Sequence, residues 1–234
     1  MFRAASKMAS NCSLEASKRI ISISHGYGKS EIESVTSALQ RGGVVAVPTD
    51  TIYGVAALAQ NREAVQKLYD IKGRNSEKPV AICVSELEEI EKWGRVSSVT
   101  KNILKDLLPG PMTVVLRRTT SLNPDLNPTT SVVGIRIPDN DFIRDLARAC
   151  GQPLALTSAN ISSHRSTISI EEFKEIWPKI DLIADGGVLR DRTRQGSTVV
   201  DLSNDGAFKI IREGCAYEKT LDILRRKYNL RESK

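Results

Sequence analysis

The sequence predicts a mixed α/β domain in which helices cover a twisted, mixed β-sheet. Short apolar runs that suit strands alternate with segments whose apolar residues recur at helical spacing. Several strand runs follow one another with only a loop between them, which favours a sheet with both parallel and antiparallel neighbours. The chain has 234 residues, enough for one large core, and no linker divides it. We therefore predict one domain over 18–234, preceded by a tail at 1–17.

The first predicted elements follow the tail. The segment SEIE at 30–33 has the spacing of a capping box with Ser30 as the N-cap, so a helix is predicted over 31–41. The β-branched run VVAVP at 44–48 predicts a strand that proline closes. After the turn TDTIYG, Asn61 is predicted to cap a second helix.

The middle of the chain continues this alternation. The run VAICV at 80–84 predicts a strand, and a second capping-box pattern at 85–88 predicts a helix over 86–93. A further helix over about 100–108 must end at the Pro-Gly-Pro of 109–111, because proline cannot continue a helix.

The second half contains more predicted strands than helices. The strands are MTVVL (112–116), VVGIRIP (132–138), LALT (154–157), DLIAD (181–185), STVVDL (197–202) and FKIIR (208–212). The helices are 141–150, a segment from Ser169 to Trp177, and 218–228. Gly151 is predicted to stop the first of these helices.

The overall charge and hydropathy limit the class of protein. Lys and Arg number 34 against 28 Asp and Glu, and this net charge of +6 favours polyanionic ligands only weakly. No apolar run reaches the ~20 residues that a membrane span needs, and no secretory signal is present. We expect a cytoplasmic protein without a membrane span. The first 14 residues contain Arg, Lys and Ser but no acid, which fits a mitochondrial transit peptide as well as a plain tail, so a mitochondrial location stays open.

Several familiar chemistries are disfavoured. The segment HGYGKS at 25–30 ends like a Walker A loop, but Ile23 stands where that motif needs glycine. Only His25 and His164 could serve a Ser-His-Asp triad, and neither a GxSxG nor a GxGxxG motif occurs. The four cysteines lack CxxC spacing, which argues against a zinc site or a disulfide framework. We expect no metal held by the protein alone.

Two polar connections carry the strongest chemical signal. KGRNSEKP (72–79) places Lys72, Arg74 and Lys78 in a short turn between a helical pattern and an apolar run. LTSANISS (156–163) offers hydroxyls and an amide after another apolar run. Because Arg and Lys are the usual phosphate ligands, this pairing favours a concave basic site for a nucleotide or polyphosphate. The alternative for any basic turn is a solvated surface loop.

Seven polar motifs in order resemble one known family. They are PTDTIYG (48–54), KGRNSEKP, LPGPMT (108–113), GIRIP (134–138), LTSANISS, GSTVVD (196–201) and IIREG (210–214). In this register they resemble the YrdC family, the threonylcarbamoyl-AMP synthases that make the activated intermediate for threonylcarbamoyl-adenosine in tRNA. The resemblance runs from about Ile20 to Tyr228 and is strongest to eukaryotic single-domain members, so we expect no additional C-terminal domain.

The resemblance implies a set of site residues. The family's KxR motif and distant SxN motif fall on residues implied to be catalytic, namely Lys72, Arg74, Ser158 and Asn160. Motif matching implies ATP binding by Arg74, Lys78, Ser158, Ser166 and Arg212. It implies threonine binding by Thr49, Thr51, Cys83, Arg136 and Ser197, with Thr113 as a further pocket residue.

Two positions depart from the family pattern. Cys83 stands where many members place a histidine that touches the amino acid, which puts that contact in doubt. Glu213 replaces the proline that commonly follows the arginine of IIR, a change expected to alter loop rigidity more than chemistry.

The reaction implied by the resemblance joins L-threonine, bicarbonate and ATP into threonylcarbamoyl-AMP and releases pyrophosphate. N-carboxy-threonine attacks the α-phosphorus, so the enzyme must align small polar reactants rather than supply a covalent nucleophile. The cations of the first connection would neutralise the triphosphate together with Mg²⁺, and Arg136 would clamp the threonine carboxylate. The labile product would pass to a tRNA threonylcarbamoyl transferase complex.

Two other function classes stay open at this point. A basic concave surface could belong to an RNA-binding module that acts on tRNA or the ribosome, and weak tRNA binding could also accompany the enzyme. Against the module, aromatic residues make up only 5% of the chain and are not interleaved with the cations. Carbamoyl transfer to another acceptor is the third class, but the hydrogenase maturation proteins that do this carry additional domains.

Overall fold

The computed structural model describes residues 19–73, 79–161, 164–190 and 193–233. The strands in these ranges are β1 (Ile20–Ser22), β2 (Val45–Val47), β3 (Gly54–Leu58), β4 (Ala81–Cys83), β5 (Met112–Arg117), β6 (Val132–Arg136), β7 (Leu154–Ser158), β8 (Leu182–Asp185), β9 (Thr198–Asp201), β10 (Ala207–Arg212) and β11 (Arg231–Glu232). The α-helices are α1 (Lys29–Gln40), α2 (Arg62–Lys72), α3 (Ile90–Trp93), α4 (Ser98–Leu107), α5 (Asp141–Cys150) and α6 (Tyr217–Asp222). Leu87–Glu89 and Ile170–Lys179 are 3₁₀ segments, and Ile223–Lys227 is a π-helical turn.

The strands pair in the order β1-β8-β2-β3-β7-β4-β6-β5-β9-β10-β11 within the described ranges. The parallel neighbours are β1 and β8, β2 and β8, β4 and β6, β5 and β9, and β10 and β11. The other neighbouring pairs are antiparallel. The predicted mixed sheet with covering helices is confirmed. No helix in the described part of the chain is long and apolar enough to cross a bilayer.

Local signals set the ends of two helices, and the sequence predicts two of these signals, Asn61 and Gly151. Asn61 caps α2, because its side-chain oxygen accepts the Ala64 N–H at 3.0 Å. Gly73 ends this helix with φ 58°, a left-handed conformation that glycine adopts without steric cost. The predicted helix at 141–150 is also confirmed, and Gly151 ends it with φ 64°.

Two predicted capping boxes have different partners in the structure. The first helix begins after Gly28 rather than Ser30, because the Glu31 carboxylate accepts the Gly28 N–H at 2.8 Å. In the second box Glu89, not Glu88, accepts the Ser85 N–H at 3.1 Å. Predicting Ser30 as the N-cap was therefore wrong, and the predicted helix over 86–93 is a 3₁₀ turn followed by the single turn of α3.

Three strands of the structure were not predicted from the sequence. The central strand β3 has the sequence GVAAL, whose small residues carry little strand propensity, although all of it is buried. Strands β1 and β11 have three and two residues and lie at the two edges of the sheet. Burial between two layers, rather than local propensity, explains β3.

The sheet separates two apolar layers. One layer contains Val55, Ile82, Val114 and Ile135, which pack with α2 and α4 residues such as Leu68 and Ile103. The other contains Val45, Val47, Leu154 and Leu156, which pack with Leu39 of α1 and Leu146 of α5. The two helices α1 and α5 cover only part of this second face. The uncovered part holds the cavity described next.

Candidate active site

An open cavity of about 590 Å³ lies over the second face of the sheet. Its floor consists of alternate residues on neighbouring strands, among them Gly54, Ala81, Gly134, Thr113 and Val199. Three of these residues have no side chain or only a methyl group, which leaves depth above the sheet. A Cβ atom at Gly134 would stand 2.9 Å from Cγ2 of Thr113, so a larger residue there would displace its neighbour.

Lys72 joins the two polar connections that the sequence singles out. It is the last residue of α2 and is 1% exposed, so its predicted place in an open polar turn is wrong. Its ammonium donates hydrogen bonds to the Ser158 carbonyl at 2.7 Å and to Asn160 Oδ1 at 2.9 Å. It also donates to the Asn160 carbonyl. A buried ammonium needs such acceptors, and in return it fixes the loop that follows β7.

That loop places one of its two motif residues in the cavity wall. Ser158, at the end of β7, lines the cavity and donates its hydroxyl proton to Asn160. Asn160 is 8% exposed and lies behind the wall, where its amide also donates to the His164 carbonyl. Lys72, Ser158 and Asn160 therefore form one network, in which Ser158 faces the cavity.

A second polar group lies on the other side of the floor. The hydroxyls of Thr113 and Ser197 are 2.8 Å apart, and Arg212 Nη2 donates to the Ser197 carbonyl at 2.7 Å. All three residues line the cavity, as predicted from the motifs. Gly214 permits this arrangement, because a Cβ atom there would stand 2.4 Å from the Gly196 carbonyl oxygen.

Arg136 is held by a carboxylate that the sequence analysis did not select. Its Nη2 donates to Asp50 Oδ1 at 2.7 Å, and the two side chains are 9% and 7% exposed. Thr51 Oγ1 lies 3.4 Å from the same nitrogen. Thr49 lines the cavity, but its hydroxyl donates to the Ile52 carbonyl at 2.7 Å and so stabilises the turn after β2.

The cavity wall carries positive charge. Both Arg136 and Arg212 line it, while none of its described lining residues is Asp, Glu, His or Cys. Surrounding protein atoms lower the pKa of Arg212, and the charge of Arg136 lowers it further. Arg212 nevertheless keeps an exposed surface. An anionic ligand would relieve the repulsion between the two guanidinium groups.

Cys83 lies beside Arg136 but does not reach the cavity. Strands β4 and β6 pair these two residues, and Cys83 is 0% exposed within the layer under α1 and α5. Burial raises the pKa of its thiol to about 12, although the charge of Arg136 acts in the opposite direction. Cys83 therefore does not line the cavity, and its contact with the amino acid stays a prediction.

Ser166 is predicted to bind ATP but does not line the cavity. It is half-buried, and its carbonyl accepts a hydrogen bond from Arg194 Nη1 at 2.9 Å. Glu213 is exposed next to Arg212. Arg74 and Lys78 lie outside the described residues.

Sequence reasoning missed an apolar wall and two charged positions. Val115, Val132 and Ile211 line the cavity, and Ile211 is 54% exposed although it belongs to a strand. Their apolar pattern resembles that of core residues, so only the fold could assign them. Asp50 stands inside the motif PTDTIYG between two threonines that were selected, so a signal was available there. Arg194 forms a forked ion pair with Glu172 and was not foreseen.

Metal-ligating side chains are few among the described residues around the cavity. Among the described residues no cluster of three or more His, Cys, Asp or Glu could hold a metal ion. Asp50, which does not line the cavity, is engaged by Arg136. Mg²⁺ commonly binds through substrate phosphates with few protein ligands, which agrees with this set of residues.

Comparison with known proteins identifies the family. A sequence profile of the family Sua5_yciO_yrdC, described as telomere recombination, matches residues 37–214. The chain belongs to the Sua5/YciO/YrdC family. The resemblance predicted from its seven motifs is thus confirmed. This chain is 49% identical to the threonylcarbamoyl-AMP synthase of Homo sapiens over 203 residues. The aligned region covers 85% of this chain and 72% of the human protein.

Solved structures of the Sua5/YciO/YrdC family share the fold. The structure of a doubly substituted Sua5 from P. abyssi superposes with a TM-score of 0.84 at 27% identity, over 92% of this chain. The crystal structure of P. abyssi Sua5 complexed with L-threonine gives a TM-score of 0.81, also at 27% identity and over 92% of this chain. This chain spans 65% and 62% of the length of those two Sua5 chains.

Proposed function

We propose that the chain is a threonylcarbamoyl-AMP synthase, an enzyme that converts L-threonine, bicarbonate and ATP into threonylcarbamoyl-AMP and pyrophosphate. The observation that carries the proposal is a cavity in which two arginines face a group of hydroxyls, and none of the lining residues that the structure describes is acidic. The carboxylate of threonine, the carbamate group formed from it and the phosphates of ATP are all negatively charged, so each needs a positively charged or hydrogen-bonding partner. Membership of the family and identity to the human synthase support the same activity.

The residues fit a reaction in which the substrates supply the reacting groups. The described lining contains hydroxyls but no histidine, cysteine or carboxylate, so no such base lies there to activate Ser158 or Ser197 as a covalent nucleophile. In the proposed step, a carbamate oxygen of N-carboxy-threonine bonds to the α-phosphorus as the bond to the pyrophosphate oxygen breaks. The protein contributes alignment of the reactants and stabilisation of developing charge.

In this proposal, residues on different sides of the cavity bind different groups of the substrates. Arg136 binds the threonine carboxylate, while Arg212 lies across the floor beside Ser197 and faces phosphate oxygens. Ser158, whose loop Lys72 fixes, turns its hydroxyl proton from Asn160 to a substrate oxygen when the substrate binds. Arg74 and Lys78 remain predicted phosphate ligands. Mg²⁺ would enter with ATP and neutralise its phosphate oxygens.

The charge distribution weighs against an RNA-binding module. The basic segment near the C-terminus contains Arg225 and Lys227, which pair with Glu232 and Asp106 respectively. The cavity arginines are arranged around a pocket with the dimensions of a small-molecule site. A role for RNA is therefore assigned to a later step, in which the product passes to a tRNA threonylcarbamoyl transferase complex.

The location and the domain limits follow from the same proposal. We place the enzyme in the cytoplasm, with a mitochondrial form if the first 17 residues act as a transit peptide. Catalysis is assigned to residues 18–234. A chain lacking residues 1–17 should keep its turnover, because those residues contain none of the seven motifs.

Pyrophosphate release without RNA tests the proposal. The full chain is mixed with ATP, Mg²⁺, threonine and bicarbonate, and each component is omitted in turn. Release should require all four components. Arg212→Met should reduce release by about 100-fold or more, as expected for the loss of a preorganised donor. Arg95→Met, at an exposed position outside the cavity, should not. Pyrophosphate release at the same rate with and without threonine would refute the synthase activity. A lack of pyrophosphate release from the full chain would refute it too.

A further inference from the structure

We propose that Asp50 is a positioning residue that aims the guanidinium of Arg136 at the carboxylate of the amino-acid substrate. This inference rests on the proposed function and adds a residue to it. Asp50 lies in the turn between β2 and β3, and its two oxygens have different partners. Oδ1 accepts from Arg136 Nη2 at 2.7 Å, and Oδ2 accepts the Asp139 N–H at 3.0 Å.

The second contact fixes the carboxylate in space. Asp139 lies in the loop between β6 and α5, so Asp50 connects the turn after β2 to the segment that follows Arg136. The Asp50 side chain is 7% exposed, and the Arg136 side chain is 9% exposed. A carboxylate bound at both oxygens and shielded from water can hold its partner in one orientation.

The contact leaves other donors of Arg136 available. Only Nη2 donates to Asp50 and lies near Thr51, so this is not the two-nitrogen fork that a carboxylate often forms with arginine. Arg136 Nε is buried without an acceptor among the described residues. A buried N–H without a partner is unfavourable, so the described protein atoms do not satisfy all the donors of this guanidinium. Arg136 lines the cavity where a ligand oxygen would lie.

The charges around Arg136 give Asp50 a second effect. Arg212 lines the same cavity, and the charge of Arg136 lowers its pKa. Asp50 offsets the charge of Arg136 from behind the wall without entering the cavity, since it is not a lining residue. Both arginines can therefore face one cavity, while the open side stays positive. This arrangement suits a carboxylate on one side and phosphates on the other.

Threonine binding and steady-state kinetics of Asp50→Asn test the inference. Asparagine keeps the size and one acceptor oxygen, but it loses the charge and cannot accept at both positions. We expect the threonine KM and the calorimetric Kd for threonine to rise by about tenfold or more, and the ATP KM to stay within about twofold. The double variant Arg136→Lys with Asp50→Asn should lose less threonine-binding free energy than the two single variants lose when their losses are added.

Asp181→Asn is the matched control. Asp181 Oδ2 also accepts a backbone N–H, that of Val44 at 2.8 Å, yet it does not touch Arg136. This variant should lose stability without a change in threonine KM. If Asp50→Asn does not fold, Asp50→Glu keeps the charge on a longer arm, and it should raise the threonine KM by about threefold or more without changing the ATP KM.

The outcomes separate this inference from the proposed function. A wild-type chain that fails to release pyrophosphate with threonine contradicts the function, whereas threonine calorimetry still tests Asp50. A folded Asp50→Asn variant with wild-type threonine affinity overturns the inference and leaves the function intact. Equal increases in the threonine and ATP KM values would also overturn it, because they would indicate general disruption of the cavity.

Discussion

Lys72 at the end of α2 and Asn160 after β7 are joined by a 2.9 Å hydrogen bond, although 88 positions separate them in the chain. The same ammonium holds the Ser158 carbonyl at 2.7 Å. Two polar connections that look independent in the sequence therefore form one structural unit. Lys72 acts on the cavity through the loop it fixes, with Ser158 as the residue that lines the wall.

Lys72→Met should therefore lower both stability and turnover. The loop carbonyls would lose a buried partner, and each unsatisfied buried acceptor costs about 1–3 kcal/mol of unfolding free energy. A displaced Ser158 should reduce kcat by about 100-fold, the size of effect that a small misplacement can have. Urea unfolding and pyrophosphate release measure the two effects.

Lys67→Met is the control for this change. Lys67 lies on the same helix, is exposed, and donates one hydrogen bond to the Gly42 carbonyl at 2.9 Å. Its loss should change the unfolding free energy by no more than about 0.5 kcal/mol, as for most surface substitutions. Equal stability of the Lys72 and Lys67 variants would show that the buried network contributes little.

Arg136→Lys should affect threonine far more than ATP. Lysine keeps the positive charge and can still reach Asp50, but it lacks Nε and the planar geometry of arginine. The threonine KM should increase by about tenfold or more while the ATP KM stays nearly constant. Initial rates of pyrophosphate release at varied threonine and varied ATP distinguish these effects. Unchanged threonine dependence would remove Arg136 from the amino-acid side of the site.

The sequence predicts the fold well where local signals are strong. The caps at Asn61 and Gly151, the proline at the end of β2 and the apolar runs of β5 and β6 all have direct physical causes. Strand β3 lacks such a signal, because small residues become a strand there only through burial between two layers. Propensity is a weak guide where tertiary packing decides the outcome.

The motifs contain residues that line the cavity, but they do not predict how those residues contact one another. Thr113, Ser197 and Arg212 line the cavity as expected. A lysine in a polar turn is normally exposed, so its pattern gave no sign that Lys72 is buried among carbonyl oxygens. The contact of Asp50 is not predictable from its turn alone, because its partner Arg136 lies on β6, far along the chain.

Cys83→Ala should leave threonine kinetics unchanged. The Cys83 side chain is 0% exposed under α1 and α5, so the substitution removes core packing rather than a substrate contact. We expect the threonine KM to stay within about twofold and the unfolding free energy to fall by roughly 1 kcal/mol, near the lower end of core truncations. Kinetics and urea unfolding of the same preparation check both values. A large increase in threonine KM would restore the contact that the family resemblance implies.

Glu172→Gln should weaken the dependence of stability on acid pH. Arg194 donates to both oxygens of Glu172, at 2.6 Å each, and ties the segment before β9 to the loop that contains Ser166. This hydrogen bonding with Arg194, assisted by the Ile168 N–H, lowers the pKa of Glu172 from 4.5 to about 2. A carboxyl group with a lowered pKa stabilises the fold fully above its unfolded-state pKa and loses that effect as pH falls through its folded-state pKa.

The stabilisation by Glu172 should accordingly be complete above about pH 4.5 and should disappear as the pH falls towards 2. Glu172→Gln should lower the unfolding free energy at pH 7 by about 1 kcal/mol, the upper end for an ion pair that water still reaches. Its stability should then decline less steeply than that of the wild type between pH 4.5 and pH 2. Glu218→Gln, at an exposed position, serves as the control in urea unfolding at each pH. Parallel pH profiles for wild type and Glu172→Gln would show that the Arg194 pair does not contribute to acid sensitivity.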